Sequence, residues 1–117
     1  MTKGEINKLD KLYQQTLMEA YDNNSILGGE AHLIHHYFSR TALSLRWWFP
    51  NGIPLSTEQH NIVHSSDLRA KPMIHRIVEI KSPDWSLELG RRKHTIVKNL
   101  TYNKVLKYLN GEIEDYI

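Results

Sequence analysis

Five residues that fall between positions 35 and 64 are the ones whose types and spacing suit chemistry: His35, His36, Asn51, His60 and His64. An imidazole is both a common metal ligand and a base that titrates near neutral pH. His60 and His64 are four apart, so on a helix they sit one turn apart on one face. His35 and His36 are adjacent, and neighbours on a strand point to opposite sides, so only one of them can join the helical pair. His35, His60 and His64 together then form a three-imidazole metal site with an open position. His36 faces the other way and is left free to act as a base. A close pair among seven histidines is what an ordinary surface also carries; the ordered set is what distinguishes this chain.

Those residues need a strand, a return strand and a helix to position them. Ile26, Leu27, Leu33 and Ile34 precede the first pair, and the Gly28-Gly29 turn leads into a strand centred on Ala31 to Tyr37. Thr41 to Pro50 reads as an irregular connection, Asn51-Gly52 as a turn, and Ile53-Pro54-Leu55 as a short second strand pairing back on the first. Pro54 has no N–H and must face an unpaired edge. Ser56-x-x-Gln59 is a capping-box pattern, so a helix begins near Thr57 and carries His60 and His64. Upstream, Ile6, Leu9, Tyr13, Leu17 and Ala20 or Tyr21 recur at helical spacing, which predicts a packing helix over about Lys3 to Tyr21, within residues 1–24. Downstream, Lys71-Pro72 opens a helix with Met73, Ile74, Ile77 and Val78 inward, up to about Lys81. Ser82-Pro83-Asp84 opens another, running from Trp85 to about Asn110 with a break at Gly90 and a stop at Gly111.

The pattern His-His, Asn51, then His60-x-x-x-His64 resembles the ββα-metal core of the HNH nuclease superfamily, with intervals similar to those of the colicin-type DNases. It covers roughly a quarter of the chain. His36-Tyr37-Phe38-Ser39-Arg40, followed by Leu45-Arg46-Trp47 and Asn51, is also similar to the core of small phage HNH proteins of the NinG recombination type. Those relatives carry cysteine pairs for a structural zinc, whereas this chain has no cysteine, so its core rests on packing and a single metal. The resemblance implies an α+β fold that is mostly helical: one domain over residues 1–117, a ββα-metal core over 26–66, and C-terminal helices over 72–111. It further implies a divalent-metal-dependent endonuclease hydrolysing phosphodiester bonds in DNA, as in phage DNA recombination or processing. In that scheme His36 is the general base and the metal on His35, His60 and His64 stabilises the leaving oxygen. Asn51 orients the base across the loop, and Arg40, or Arg46, braces the phosphate.

Length and composition agree with one small folded domain: 117 residues, of which 40% are hydrophobic. No apolar run approaches the ~18 residues that span a bilayer, and Met1 to Tyr13 is charged without an apolar signal core, so a cytoplasmic protein with no membrane contact is expected. A net charge of +2 does not by itself argue for nucleic acid. Its distribution argues more, because Arg46, Arg91, Arg92, Lys93 and Lys98 are candidates for phosphate contacts, while acidic residues gather at the chain ends. His32 reads as flanking the site or solvated, and His75 and His94 as surface residues. Trp47, Trp48 and Phe49 read as packing before base stacking. Three imidazoles prefer zinc, nickel, cobalt or manganese to magnesium, so zinc is the expected bound ion while another supports turnover. The competing readings are a non-catalytic, zinc-stabilised HNH-fold module that binds nucleic acid or protein, and a hydrolase of RNA or a nucleotide. Retention of both His36 and Asn51 favours catalysis, since a structural site needs neither.

Overall fold

Helix dominates this α+β chain, whose six helices surround a two-stranded antiparallel sheet. The computed structural model describes residues 1–117. No helix is long and apolar enough to cross a membrane. Helix α1 (Lys3–Ala20) starts at a capping box in which Thr2 Oγ1 accepts from the Glu5 amide at 3.1 Å and the Glu5 carboxylate accepts from the Thr2 amide at 2.8 Å. Leu9, Tyr13 and Leu17, four apart, line its buried face. Asp22 and Asn23 then adopt left-handed backbone, with φ of 52° and 56°, and end it.

Strands β1 (Leu33–His36) and β2 (Gly52–Leu55) pair with Leu33 opposite Leu55, Ile34 opposite Pro54, His35 opposite Ile53 and His36 opposite Gly52. The alternation of a strand therefore divides the sheet into two faces. Ile34, His36, Gly52 and Pro54 share the face turned to α1, and Leu33, His35, Ile53 and Leu55 share the other. The strand predicted over Ala31 to Tyr37 is shorter than that, although His32 and Tyr37 still donate to Leu55 and Asn51 carbonyls at its ends. Pro54 meets its constraint as expected. Its carbonyl accepts from the Ile26 amide on the edge away from β1, which is also where its missing N–H would lie.

Asn51-Gly52 is not a hairpin turn, which corrects the sequence reading. Asn51 closes a 3-10 turn (Phe49–Asn51) after the short helix α2 (Leu43–Arg46), and Gly52 is extended with φ of −93°. Glycine is required there for space. A Cβ on Gly52 would stand 2.3 Å from Leu17 Cδ1, 2.6 Å from the Tyr13 hydroxyl and 2.9 Å from Ile34 Cγ2. Helix α1 thus rests directly on β2, giving two strands too short to stand alone a packed cover.

The other face is covered by α3 (Thr57–Val63) and α4 (Ala70–Lys81), where Ile77 joins Ile53 and Leu55 in a small apolar cluster. The Ser56 and Gln59 capping box forms as read from the sequence. Gln59 also accepts from Ser25 Oγ at 2.5 Å and donates to the Gly28 carbonyl at 3.1 Å, so one amide ties α3 to the turn before β1. Ser82 closes α4 and caps α5 (Pro83–Lys93) with φ of 128°, a region costly for a residue with a Cβ. The helical stretch expected from Trp85 to Asn110 is broken, but not at Gly90. Gly90 lies inside α5, and the chain leaves helix over residues 94–101 before α6 (Tyr102–Leu109). Val105, Tyr108 and Leu109 of α6 join Leu9, Tyr13, Leu17, Ile34, Trp47 and Tyr116 in the larger core.

Two glycine substitutions are expected to act in opposite directions in urea unfolding. Gly52→Ala overpacks the α1 seat and lowers stability by about 1–3 kcal/mol. Gly90→Ala, in a helix where an added Cβ meets nothing within 4 Å, raises it by about 0.5–1 kcal/mol.

Candidate metal centre

The sheet and α3 bring together the three imidazoles that the sequence singled out. His35 points from the far face of β1 toward α3, His60 lies within α3, and His64 is its C-terminal cap. One ring nitrogen from each lies within 4.8 Å of the others. The ring centroids are 5.4 Å apart for His35 and His60, 4.9 Å for His35 and His64, and 4.4 Å for His60 and His64. Charging one ring among three such neighbours is unfavourable. Burial first, and then the neighbouring imidazoles, hold His35 down to about 4, and burial followed by His64 also lowers His60. Rings kept neutral are the form that donates a lone pair to a metal. The donor set fits a divalent transition ion, and the three residues can hold one.

His36, the next residue along β1, turns to the α1 face. Its ring stacks on Tyr13 at 5.3 Å between centroids, with the planes 23° apart. Its Nε2 lies 3.1 Å from the Arg46 carbonyl oxygen. A carbonyl only accepts, so in the neutral ring Nε2 carries the hydrogen and Nδ1 the bare lone pair. Burial moves this imidazole below its ordinary range despite that hydrogen bond, keeping it unprotonated at neutral pH.

Asn51 is fully buried, and its side chain is a clamp: Oδ1 accepts from the Phe38 amide at 2.9 Å, while Nδ2 donates to the Phe38 carbonyl at 3.1 Å and the Leu45 carbonyl at 3.3 Å. It thereby joins the chain just after His36 to the end of the connecting loop.

A cavity of about 530 Å³ is lined by His35, His36, His60, His64, Arg40 and Gln14, among others. Arg40 is exposed at this cavity, where the sequence placed it. Arg46 and Arg92, read as phosphate contacts, are each paired with an aspartate of the chain itself. Arg46 grips Asp10 through Nε at 3.0 Å and Nη2 at 2.7 Å. Arg92 makes two 2.8 Å bonds to Asp115, donates to the Ser44 carbonyl and lies 3.5 Å over the Trp48 ring. Lys93 is exposed and sits 5.1 Å from the Phe38 ring, beside the loop that follows His36. Arg91 is exposed, with only a surface pair to Glu88, and Lys98 is exposed in the irregular segment. Trp47 is buried, and Trp48 and Phe49 pack against the core, as expected of packing residues. His32 accepts the Thr57 amide on Nδ1 at 3.0 Å, so it helps hold the start of α3. Comparison of the chain with protein-family models, with curated proteins and with solved structures returns no match.

The sequence reading missed what α1 contributes to the site. Tyr13 counted only as a member of the apolar stripe, and Gln14 was not singled out. The signal for Asp10 was present: an acidic residue beside Leu9, three before Tyr13, borders a buried helix face and needs a partner.

His35 gives a pH dependence with a definite sign. Its folded value, about 4, lies below the ordinary 6.5, so between those values the unfolded chain holds more protons. Stability of the metal-free protein is therefore expected to fall as pH drops from about 6.5 to about 4, by up to about 3 kcal/mol from this group, and to be insensitive to it above that window. Thermal unfolding after chelation checks this, with His35→Gln making the decline shallower. At pH 7, zinc is expected to raise the melting temperature of the wild type, by the equivalent of about 2.7 kcal/mol at a hundredfold excess over its dissociation constant. His60→Ala and His64→Ala are expected to remove most of that gain.

Proposed function

We propose that this chain is a divalent-metal-dependent endonuclease that hydrolyses phosphodiester bonds in DNA, with residues 26–66 serving as an HNH-type ββα-metal core. One observation carries the reading: His35, which completes a three-imidazole set with His60 and His64, and His36, whose ring is turned separately, are consecutive residues of one strand, and all four rings line one cavity. A purely structural metal site has no use for the second part.

A divalent ion held by His35, His60 and His64 supplies Lewis-acid stabilisation of charge on the scissile phosphate and the departing oxygen. The chain's own residues do the rest. His36 accepts a proton from the attacking water at Nδ1, the only ring nitrogen left with a lone pair when Nε2 donates to Arg46. Asn51 keeps the His36 strand and the loop in fixed relation. Arg40 offers its fork of donors to nonbridging phosphate oxygens from the cavity wall. Phosphates flanking the cut fall to exposed Lys93, Arg91 and Lys98, ahead of Arg46 and Arg92, whose guanidinium groups are each paired with an aspartate within the protein.

Plasmid cleavage across a series of zinc, magnesium, manganese, nickel and cobalt tests the reading. His36→Ala is expected to lower cleavage at least about a hundredfold while the metal content stays at the wild-type level. A wild type that binds its metal but cuts in none of these ions would instead be a zinc-stabilised binding module. For duplex DNA binding, replacing Arg91, Lys93 and Lys98 by neutral residues is expected to reduce the slope of log K against log salt by about 0.9 for each phosphate that is no longer neutralised. Fluorescence anisotropy at several salt concentrations measures it.

A further inference from the structure

His36 depends on a single backbone peptide, the one joining Arg46 to Trp47. Its carbonyl takes the His36 Nε2 hydrogen, and its N–H, on the opposite side of a trans peptide, points to the Tyr116 hydroxyl at 3.3 Å. That hydroxyl in turn donates to the Leu43 carbonyl at 2.9 Å, and the Tyr116 ring is buried in the core. Asp10 holds both residues of the same peptide with one carboxylate. Its Oδ1 accepts from Trp47 Nε1 at 2.9 Å and from Arg46 Nε at 3.0 Å, and its Oδ2 accepts from Arg46 Nη2 at 2.7 Å. Tyr13, one turn further along α1, stacks on the His36 ring and donates its hydroxyl to the Trp48 carbonyl, two residues beyond that of Arg46, at 2.9 Å.

We infer that Asp10 and Tyr116 are positioning residues: together they fix the plane of the Arg46–Trp47 peptide and so hold His36 in the ring form with hydrogen on Nε2 and a bare Nδ1. The peptide is fixed through one side chain on each of its two residues and at its N–H by a hydroxyl. If that plane rotates, the carbonyl leaves His36, and the ring is free to carry its hydrogen on either nitrogen. Hydrogen on Nδ1 removes the lone pair that the water needs. The catalytic consequence rests on the nuclease reading, whereas the ring form is a property of the fold and is measured without substrate.

The experiment is a ¹⁵N spectrum of the histidine side chains of the zinc-loaded chain at pH 8, with the His36 signals identified by their loss in His36→Gln. The wild type is expected to show His36 with hydrogen on Nε2. Asp10→Asn keeps the size of the side chain but loses its charge, and Tyr116→Phe keeps the ring and loses only the hydroxyl. Both are expected to bring the Nδ1-hydrogen form into the spectrum, and to lower kcat about tenfold with KM and zinc content unchanged. If Asp10→Asn does not fold, Tyr116→Phe decides. A wild type with hydrogen on Nδ1, or folded variants whose His36 pattern matches the wild type, would overturn the inference. Absence of cleavage in every chain, with the ring form shifting as described, removes the nuclease reading and leaves the assignment of the two positioning residues intact.

Discussion

The closeness of α1 to the second strand at Gly52 is the constraint on which the surroundings of the histidines depend. No side chain stands between Leu17, Tyr13 and the β2 backbone there. Because the helix lies that low, Tyr13 reaches the His36 ring and the Trp48 carbonyl, and Asp10 reaches Arg46 and Trp47. The same approach leaves α1 to cover only one face of the sheet. The opposite face, with His35, is open to α3, and the alternation of a four-residue strand gives two adjacent imidazoles separate surroundings.

What was legible in the sequence was local. The Ser56 and Gln59 cap, the one-turn spacing of His60 and His64, the apolar stripe of α1 and the start at Ser82-Pro83 are each decided by residues within a few positions of one another, and each appears where expected. Gly52 was misread because Asn-Gly has strong local turn chemistry, while the real demand on it comes from Leu17, far back in the chain. The break between α5 and α6 was placed at Gly90, yet glycine is tolerated inside a helix. The chain leaves helix instead at Thr95-Ile96-Val97, a β-branched run, followed by Asn99 with φ of 56° and Thr101, which caps α6. Those last residues carried the signal, and the glycine obscured it.

Arginine count is a poor measure of basic surface in this chain. The Arg46–Asp10 and Arg92–Asp115 pairs are mostly shielded, with the arginine side chains 20% and 15% exposed. Removing one partner of such a pair leaves the other charge short of solvent, so these residues are held in place by the fold as much as they hold it. Arg92 is fixed further by the Trp48 face, which is itself stacked on Tyr108. Positive charge available to an outside partner is left to residues whose only neighbours are surface pairs or water.

The Tyr116 hydroxyl reaches Trp47 and Leu43, residues 69 and 73 positions earlier in the chain. All three imidazoles of the candidate metal centre, by contrast, have been made once residue 64 is complete. Synthesis runs from the N-terminus, and contacts so distant in sequence form last. The growing chain therefore holds the three clustered imidazoles well before Tyr116 can reach the peptide whose carbonyl meets His36. Formation of the cleft is ordered by the sequence itself: the histidine cluster first, the contacts that steady the Arg46–Trp47 peptide only once Tyr116 has been added.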